Sequence, residues 1–331
     1  MKKVFAVAAA LALLALGIAA QAVVIETVAV GDSGNAGDYR YGTAYQGSEG
    51  GPASYGGVRY SYNIGKYEVT AGQYADFLND KANVSDTYGL YDTAMDTANN
   101  PNGCNIQRSG SAGNYSYSVA SDWANRPVNC VSYWDALRFA NWLGNGQGTG
   151  STETGAYTLG GYNGTDGLDI QRNGGAKWFL TSEDEWYKAA YYKGGGTTAG
   201  YWDYPTQSNS VNTGMANYGS SVGHTTEAGS YGFSSAYGTF DQGGNVFEWN
   251  EGIDGILRGE RGGWFGGGGP DLRASYRGEN SPNNAFYIHG FRVAYMSDGW
   301  QPVPEPASII ALLGGLVGLL GIRRRRACPP L

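Results

Sequence analysis

Histidine and cysteine are scarce in this chain of 331 residues: two of the first, His224 and His289, and three of the second, Cys104, Cys130 and Cys328. Each histidine stands alone in its stretch, and a lone imidazole supports no metal site. No Ser-His-Asp order or phosphate-binding loop with its strand-and-helix context is present; the run Gly266 to Gly269 lacks both flanks and reads as a flexible loop. Charge is also sparse, at 15% of residues. Six of the 22 basic side chains lie in the two terminal segments, against one of the 29 acidic ones, so the body carries 16 against 28, a net of -12. Nonspecific nucleic-acid binding needs a basic face, and such a body lacks one.

Glycine and aromatic residues are plentiful. Glycine supplies 55 residues, well over twice its usual share of about 7%. It is a poor helix former, so long helices are disfavoured. Nine Trp, ten Phe and 26 Tyr provide abundant burial and exclude general disorder. A loop-rich globular fold with aromatic cores follows.

The two ends read as addresses. In residues 1–22, Lys2 and Lys3 precede an apolar run and an A-x-A cleavage site at Ala20 to Ala22, the layout of an export signal. From residue 301 the composition shifts: Pro302-Val303-Pro304-Glu305-Pro306 forms an extended linker, Ala307 to Ile322 is apolar, and Arg323 to Arg326 follow. Such an apolar helix spans about 24 Å, short of the roughly 30 Å hydrocarbon core of a bilayer. The arginines favour the cytoplasmic side. Between the ends, residues 23–300 are long enough for one large domain or two small ones.

Three strand-to-helix units stand out. An alternating strand ends near Val69, and Thr70 caps a helix with Tyr74, Phe77 and Leu78 on one face. Pro127 to Val131 is extended, and Ser132 caps a second helix with Ala136, Phe139, Ala140 and Leu143 inward. Trp178 to Leu180 is a strand, and Thr181, with Asp184 and Glu185 in the first turn, caps a third. Residues 79–121 form a polar insertion without clear period. Ile256 to Arg258 and Phe291 to Ala294 read as the last core strands.

The stretch Gly238 to Glu251, GTFDQGGNVFEWNE, places a glycine pair between two carboxylates and three aromatic residues. Two readings stand: a tight turn between aromatic strands, or a loop whose carbonyls join Asp241 and Glu248 around a hard cation such as calcium.

The blocks IGKYEVTAGQYADFLN, RPVNCVSYWDALRFANWL, WFLTSEDEWYKAAYYKGG, TTEAGSYGFSSAYGTFDQGGNVFEWNEG and RGGW…LRASYRG…GFRVA, in this order over about residues 55–296, resemble the formylglycine-generating, sulfatase-modifying-factor family. The tail VPEPASIIALLGGLVGLLGIRRRR is similar to a PEP-CTERM sorting signal. The resemblance implies a single α+β domain with a compact, loop-rich, C-type-lectin-like fold and short helices. It implies two structural calcium sites, one on Asp241, Gly244, Val246 and Glu248, the other starting at Asn217 and the Tyr218 carbonyl, its second half near Ser221 to His224 unplaced. The tail implies an exosortase-type sorting enzyme as partner, a membrane contact through the C-terminal helix before processing, and delivery to a bacterial envelope or its extracellular matrix.

One departure bears on activity. Active family members use two cysteines, which bind copper(I), just after an R-G-G-S motif to oxidise a substrate cysteine to formylglycine. Here Trp264 replaces that serine, and Trp264 to Ala274 holds no cysteine. Soft thiolates select copper(I), so copper is not expected. Cys104 and Cys130 either pair as a disulfide in the exported domain or remain free. The expected role is then a calcium-stabilised scaffold with no catalytic residue. Trp264, Phe265, Arg273, Tyr276 and Arg277 would line its cleft for a glycan or peptide, unless they serve packing alone. An enzyme of altered chemistry, using Asp271 or Glu279 as acid or base, is the alternative, and formylglycine generation is the remaining one.

Overall fold

The computed structural model describes residues 22–41, 54–167 and 170–301. The export leader, but for Ala22, and the sorting tail, but for Gln301, lie outside the described residues, and with them the C-terminal apolar helix. Among the described residues no helix is long and apolar enough to cross a membrane.

Strands β1 (Thr27–Val30), β2 (Tyr62–Gly65), β5 (Trp178–Leu180) and β10 (Val293–Tyr295) make one antiparallel sheet in the order β1-β2-β10-β5. Its register pairs Ile64 with both Val28 and Ala294. Strands β6 (Phe247–Asp254), β7 (Leu257–Arg261), β8 (Gly278–Asn280) and β9 (His289–Phe291) make the other, in the order β8-β7-β6-β9. There β9 runs parallel to β6, with Glu248 opposite both Gly290 and Arg261. β9 and β10 are separated by one residue, Arg292, so the chain steps from one sheet to the other across it.

Three helices stand where the three strand-to-helix units place them, but the first strand ends at Gly65 and not near Val69, and Pro127 to Val131 makes only an isolated bridge from Pro127 to Thr70. α1 (Ala71–Lys81) starts at a reciprocal Thr70–Gln73 capping box, and α2 (Tyr133–Gly144) at one made by Ser132 and Asp135. α3 (Glu183–Tyr191) is capped by Ser182, not Thr181: the Ser182 hydroxyl accepts from the Glu185 amide, and Glu185 reaches back to the Ser182 N–H. The shift of one residue puts Glu185 at the third helical position, where a capping box needs it. Every residue of α2 from Tyr133 to Leu143 is buried, which one inward stripe did not anticipate.

The insertion read as aperiodic contains a hairpin, β3 (Ile106–Ser111) with β4 (Asn114–Val119), running from Ile106 opposite Val119 to Ser111 opposite Asn114. Its β3 strand is exposed after Ile106. With no buried face it shows no hydrophobic alternation, so the backbone ladder alone defines it.

Two aromatic clusters fill the interior, as the composition implied. Around α1 and α2, Tyr74, Phe77, Phe139 and Phe291 pack with ring centroids 5.3–6.4 Å apart. Around α3, Tyr187 packs against Tyr55, Tyr191 and Tyr201.

Candidate functional site

The stretch around Gly244 is a corner of consecutive tight turns. Asp241, Gly244 and Asn245 all have positive φ. Glycine is required at 244, because a Cβ there would sit 2.3 Å from the Asn217 carbonyl. That contact shows how the two expected calcium segments meet. Asn245 N–H donates to the Asn217 carbonyl at 3.0 Å, and Asn217 Nδ2 donates to Asn245 Oδ1 at 2.9 Å.

The donor sets for calcium are uneven. Asn217 Oδ1 is buried and has no hydrogen-bond partner, as an oxygen reserved for a cation would be. The Tyr218 carbonyl, however, accepts from Ser221 N–H at 3.2 Å, and residues 217–226 contain no carboxylate. At the second set, Asp241 accepts from Gly229 N–H at 2.5 Å, and loss of hydration pushes its pKa up to about 6. Glu248 is already engaged: Arg292 donates to it at 2.6 and 2.7 Å, and Trp186 Nε1 donates at 2.6 Å. Asp241 therefore fits a cation, whereas Glu248 does so only if Arg292 withdraws.

Arg292 is the centre of this corner. It is fully buried and also donates to the carbonyls of Gly65 and Phe240, each at 2.9 Å. Glu68 lies within electrostatic reach of Arg292, Asp241 and Glu248; burial, chiefly, pushes its pKa far above the ordinary carboxylate range. Neither oxygen of Glu68 has a hydrogen-bond partner. Neither Arg292 nor Glu68 stands out in the sequence, although each is a charged residue among largely apolar neighbours, Glu68 just past β2 and Arg292 between β9 and β10.

The five residues expected to line a cleft separate into distinct roles. Trp264 is half-buried and meets Phe265 and Tyr287 edge-on at 5.0 and 5.7 Å. Phe265 is buried at 3% exposure, so it supports Trp264 from the core and does not line a surface. Tyr276 is half-buried and stacks on Phe247 at 5.9 Å. Arg273 is exposed and bridges to Asp203 at 2.8 Å. Arg277 pairs with Glu183 at 2.9 Å and lies 3.4–3.5 Å from Asp254 and Glu279. Arg261, fully buried, donates to the same Glu183 at 2.9 Å.

The segment where the family places its cysteines is not a loose loop. Phe265 N–H donates to Asn245, Gly219 N–H to Gly267 and Ser220 N–H to Phe265, at 2.7–2.9 Å. A 3₁₀ turn, Gly269–Leu272, follows, and Asp271 caps it by accepting from Gly268 N–H at 2.9 Å. Asp271 is thus occupied as a cap, while Glu279 is exposed beside Arg277. Cys104 and Cys130 lie elsewhere, both buried and both free. Their sulfurs face the carbonyls of Asn129 and Ala94, and burial pushes the Cys104 thiol up to about 11. A thiol so raised is a poor nucleophile and a poor metal ligand at neutral pH.

His289 is fully buried beside Trp249, with Nε2 2.9 Å from Glu260. His224 is half-buried, its Nδ1 2.9 Å from Arg126. Among the described residues no three His, Cys, Asp or Glu side chains gather closely enough to hold a metal ion.

A family model, the sulfatase-modifying factor enzyme 1-like domain, matches residues 26–296. The chain belongs to this family. A second model, the PEP-CTERM protein-sorting motif, matches residues 302–326. That motif indicates export to the bacterial cell envelope and recognition by exosortase-type sorting machinery. Among solved structures, the family member is similar to Treponema denticola variable protein 1, at 22% identity and TM-score 0.54, over 81% of this chain and 94% of that one. CarF matches at 22% identity and TM-score 0.48, over 83% of this chain and 99% of that one. PvdO from Pseudomonas aeruginosa matches at 21% and 0.47, over 82% and 91%. No curated protein sequence matches the chain. The first likeness establishes a shared fold, compact and loop-rich with few helices.

Proposed function

We propose that this envelope-directed member of the sulfatase-modifying factor family is a binding scaffold that lacks the family's oxidative chemistry. The observation that carries this reading is the segment Trp264 to Ala274. It contains no cysteine, and its backbone is pinned as a tight turn. The two free thiols described are buried, away from that turn, at Ala94 and Asn129. In this reading the ligand would meet the half-buried rings of Trp264 and Tyr276 and the guanidinium groups of Arg273 and Arg277. Aromatic faces flanked by guanidinium groups suit a sugar or an extended peptide.

The test incubates the purified protein with copper(I), oxygen and a peptide carrying C-x-P-x-R, followed by mass spectrometry. The expected result is an unchanged peptide. Conversion of its thiol to an aldehyde would overturn the reading.

Calcium belongs to the same proposal in a structural role. Asp241 and the carbonyls of Gly244 and Val246 would hold one ion and Asn217 would contribute to a second, with Glu248 remaining on Arg292. A ligand that binds only the folded state raises stability by mass action. Chelator is therefore expected to lower the melting temperature by several degrees, on the order of 1–3 kcal/mol at moderate saturation. An unchanged melt with chelator removes calcium from the reading.

A further inference from the structure

The chain joins the body at Val23. Ala22 is exposed, whereas Val23 and Ile25 are half-buried and pack on the larger aromatic core, with Val24 exposed between them. Ala22 is also the last residue of the A-x-A pattern, so Val23 is the first residue of a chain cut there.

One side chain holds Val23 at both of its backbone groups. Val23 N–H donates to Gln147 Oε1 at 2.8 Å, and Gln147 Nε2 donates to the Val23 carbonyl at 2.8 Å. Gln73 Nε2 donates to the next carbonyl, that of Val24, at 3.0 Å. The loop that carries Gln147 is built to aim it. Gln147 has a φ of 65°, between Gly146 at 89° and Gly148 at 70°. A left-handed backbone is uncommon for a residue with a side chain. Here two hydrogen bonds hold it, from Gln147 N–H to the Trp142 carbonyl and from Gly148 N–H to Asp80, each at 2.8 Å. The same loop closes the C-terminal end of α2, where Asn145 N–H donates to the Asn141 carbonyl. That end is the negative pole of the helix dipole and favours a cation.

We propose that Gln147 and the C-terminal end of α2 form a seat for the α-ammonium that export processing creates at Val23. The agent is a peptidase that accepts small residues in the A-x-A pattern, and the co-reactant is water. The bond from the Ala22 carbonyl carbon to the Val23 nitrogen breaks; hydroxide goes to that carbon, which leaves as a carboxylate, and the nitrogen takes up protons to become an ammonium. In the uncut chain this nitrogen is an amide with one N–H for Gln147. After the cut it carries a positive charge at the same acceptor, and hydrogen bonds to charged groups are the stronger kind. Processing therefore tightens the contact that fastens the residues before β1, an edge strand of its sheet, to the end of α2. The seat is remote in sequence from Trp264 to Tyr276 and stands whether or not that surface binds a glycan or peptide.

The test uses the exported protein purified from the cell envelope. N-terminal sequencing is expected to read Val23 first, and any other first residue overturns the proposal. The α-amine is then acetylated near pH 6.5, roughly one unit below its ordinary pKa and far below that of lysine, so that it reacts first. An acetyl group takes the place of exposed Ala22 and restores the amide, removing the charge while leaving the N–H for Gln147. Acetylation is expected to lower the melting temperature by about 2–4 °C. In Gln147→Ala the shift on acetylation is expected to shrink to half or less. In Gln147→Glu it is expected to grow, since a carboxylate then faces the ammonium. Both substitutions lie on a half-exposed loop outside the core. A contact that served packing alone would change the melting temperature of the variants but leave the acetylation shift equal in all three proteins. Equal shifts, or no shift in the unsubstituted protein, overturn the proposal.

Discussion

Replacing Arg292 by methionine should lower the stability of the domain by about 3–5 kcal/mol, the cost of breaking a buried ion pair by removing one partner. At roughly 2–4 °C per kcal/mol for a chain of this size, the melting temperature falls on the order of 10 °C. The reason is positional. Arg292 stands between β9 and β10, where the chain passes from one sheet to the other. From there it bonds Glu248 in β6, the Gly65 carbonyl at the end of β2 and the Phe240 carbonyl at the glycine corner. Without it, Glu248 loses its counter-ion, and Asp241 and Glu68 lose the nearest positive charge. Arg292→Lys should fall in between, since an ammonium keeps the charge without the planar fork. Adding Glu248→Gln to Arg292→Met should restore part of the loss, because the two residues couple directly. Thermal unfolding checks all three. A loss below about 1 kcal/mol in the methionine variant would remove Arg292 from this role, since that is the size of a surface pair.

Arg172→Met is expected to cost about as much, roughly 3–5 kcal/mol, through a second buried cluster. Arg172 donates to Glu185 at 2.8 and 2.9 Å, to Glu251 at 2.8 and 2.9 Å and to the Leu180 carbonyl at 3.0 Å. Its guanidinium lies 3.8 Å from the Phe179 ring centroid. It therefore joins β5, α3 and β6. Burial alone would raise the pKa of Glu185, but Arg172 outweighs it and holds the carboxyl below its ordinary 4.5. Burial leaves Glu251 raised even so.

This cluster also gives the variant a pH signature. In the native protein the depressed Glu185 contributes stability that is present above pH 4.5 and is lost as pH falls through its lower folded value. With Arg172 gone, burial would raise both glutamates, and the folded variant would take up protons above pH 4.5 and gain stability on acidification. The difference between the two proteins should therefore shrink between pH 7 and pH 4.5. A gap that stays constant across that range would show that Arg172 acts through packing on Phe179, not through charge.

These two arginines mark where sequence reading stopped. The capped helices were legible because Thr70 and Gln73, or Ser132 and Asp135, sit three residues apart and need only local geometry. The one-residue error at Ser182 was of the same local kind. The hairpin from Ile106 to Val119 was missed because β3 buries only its first residue. At the candidate surface, Trp264 and Phe265 are adjacent in sequence yet differ in exposure, which depends on a turn held by Asn245, Gly219 and Ser220 from outside the segment.

The sequence by itself determined which side chains the segment after Arg261-Gly262-Gly263 can offer. It holds no thiol at Trp264 to Ala274, and no folding can supply one. It also determined its local starts and stops, since caps and turns are satisfied within a few residues. Only the tertiary structure decided how the charges are shared: that Glu248 belongs to Arg292, that Glu185 and Glu251 divide Arg172, that Asp271 closes a turn, and that Glu68 is left alone. Those pairings join residues up to two hundred and more positions apart, as Arg292 and Gly65 are. Electrostatic partnership depends on distance and burial, and neither is written in the order of residues along the chain.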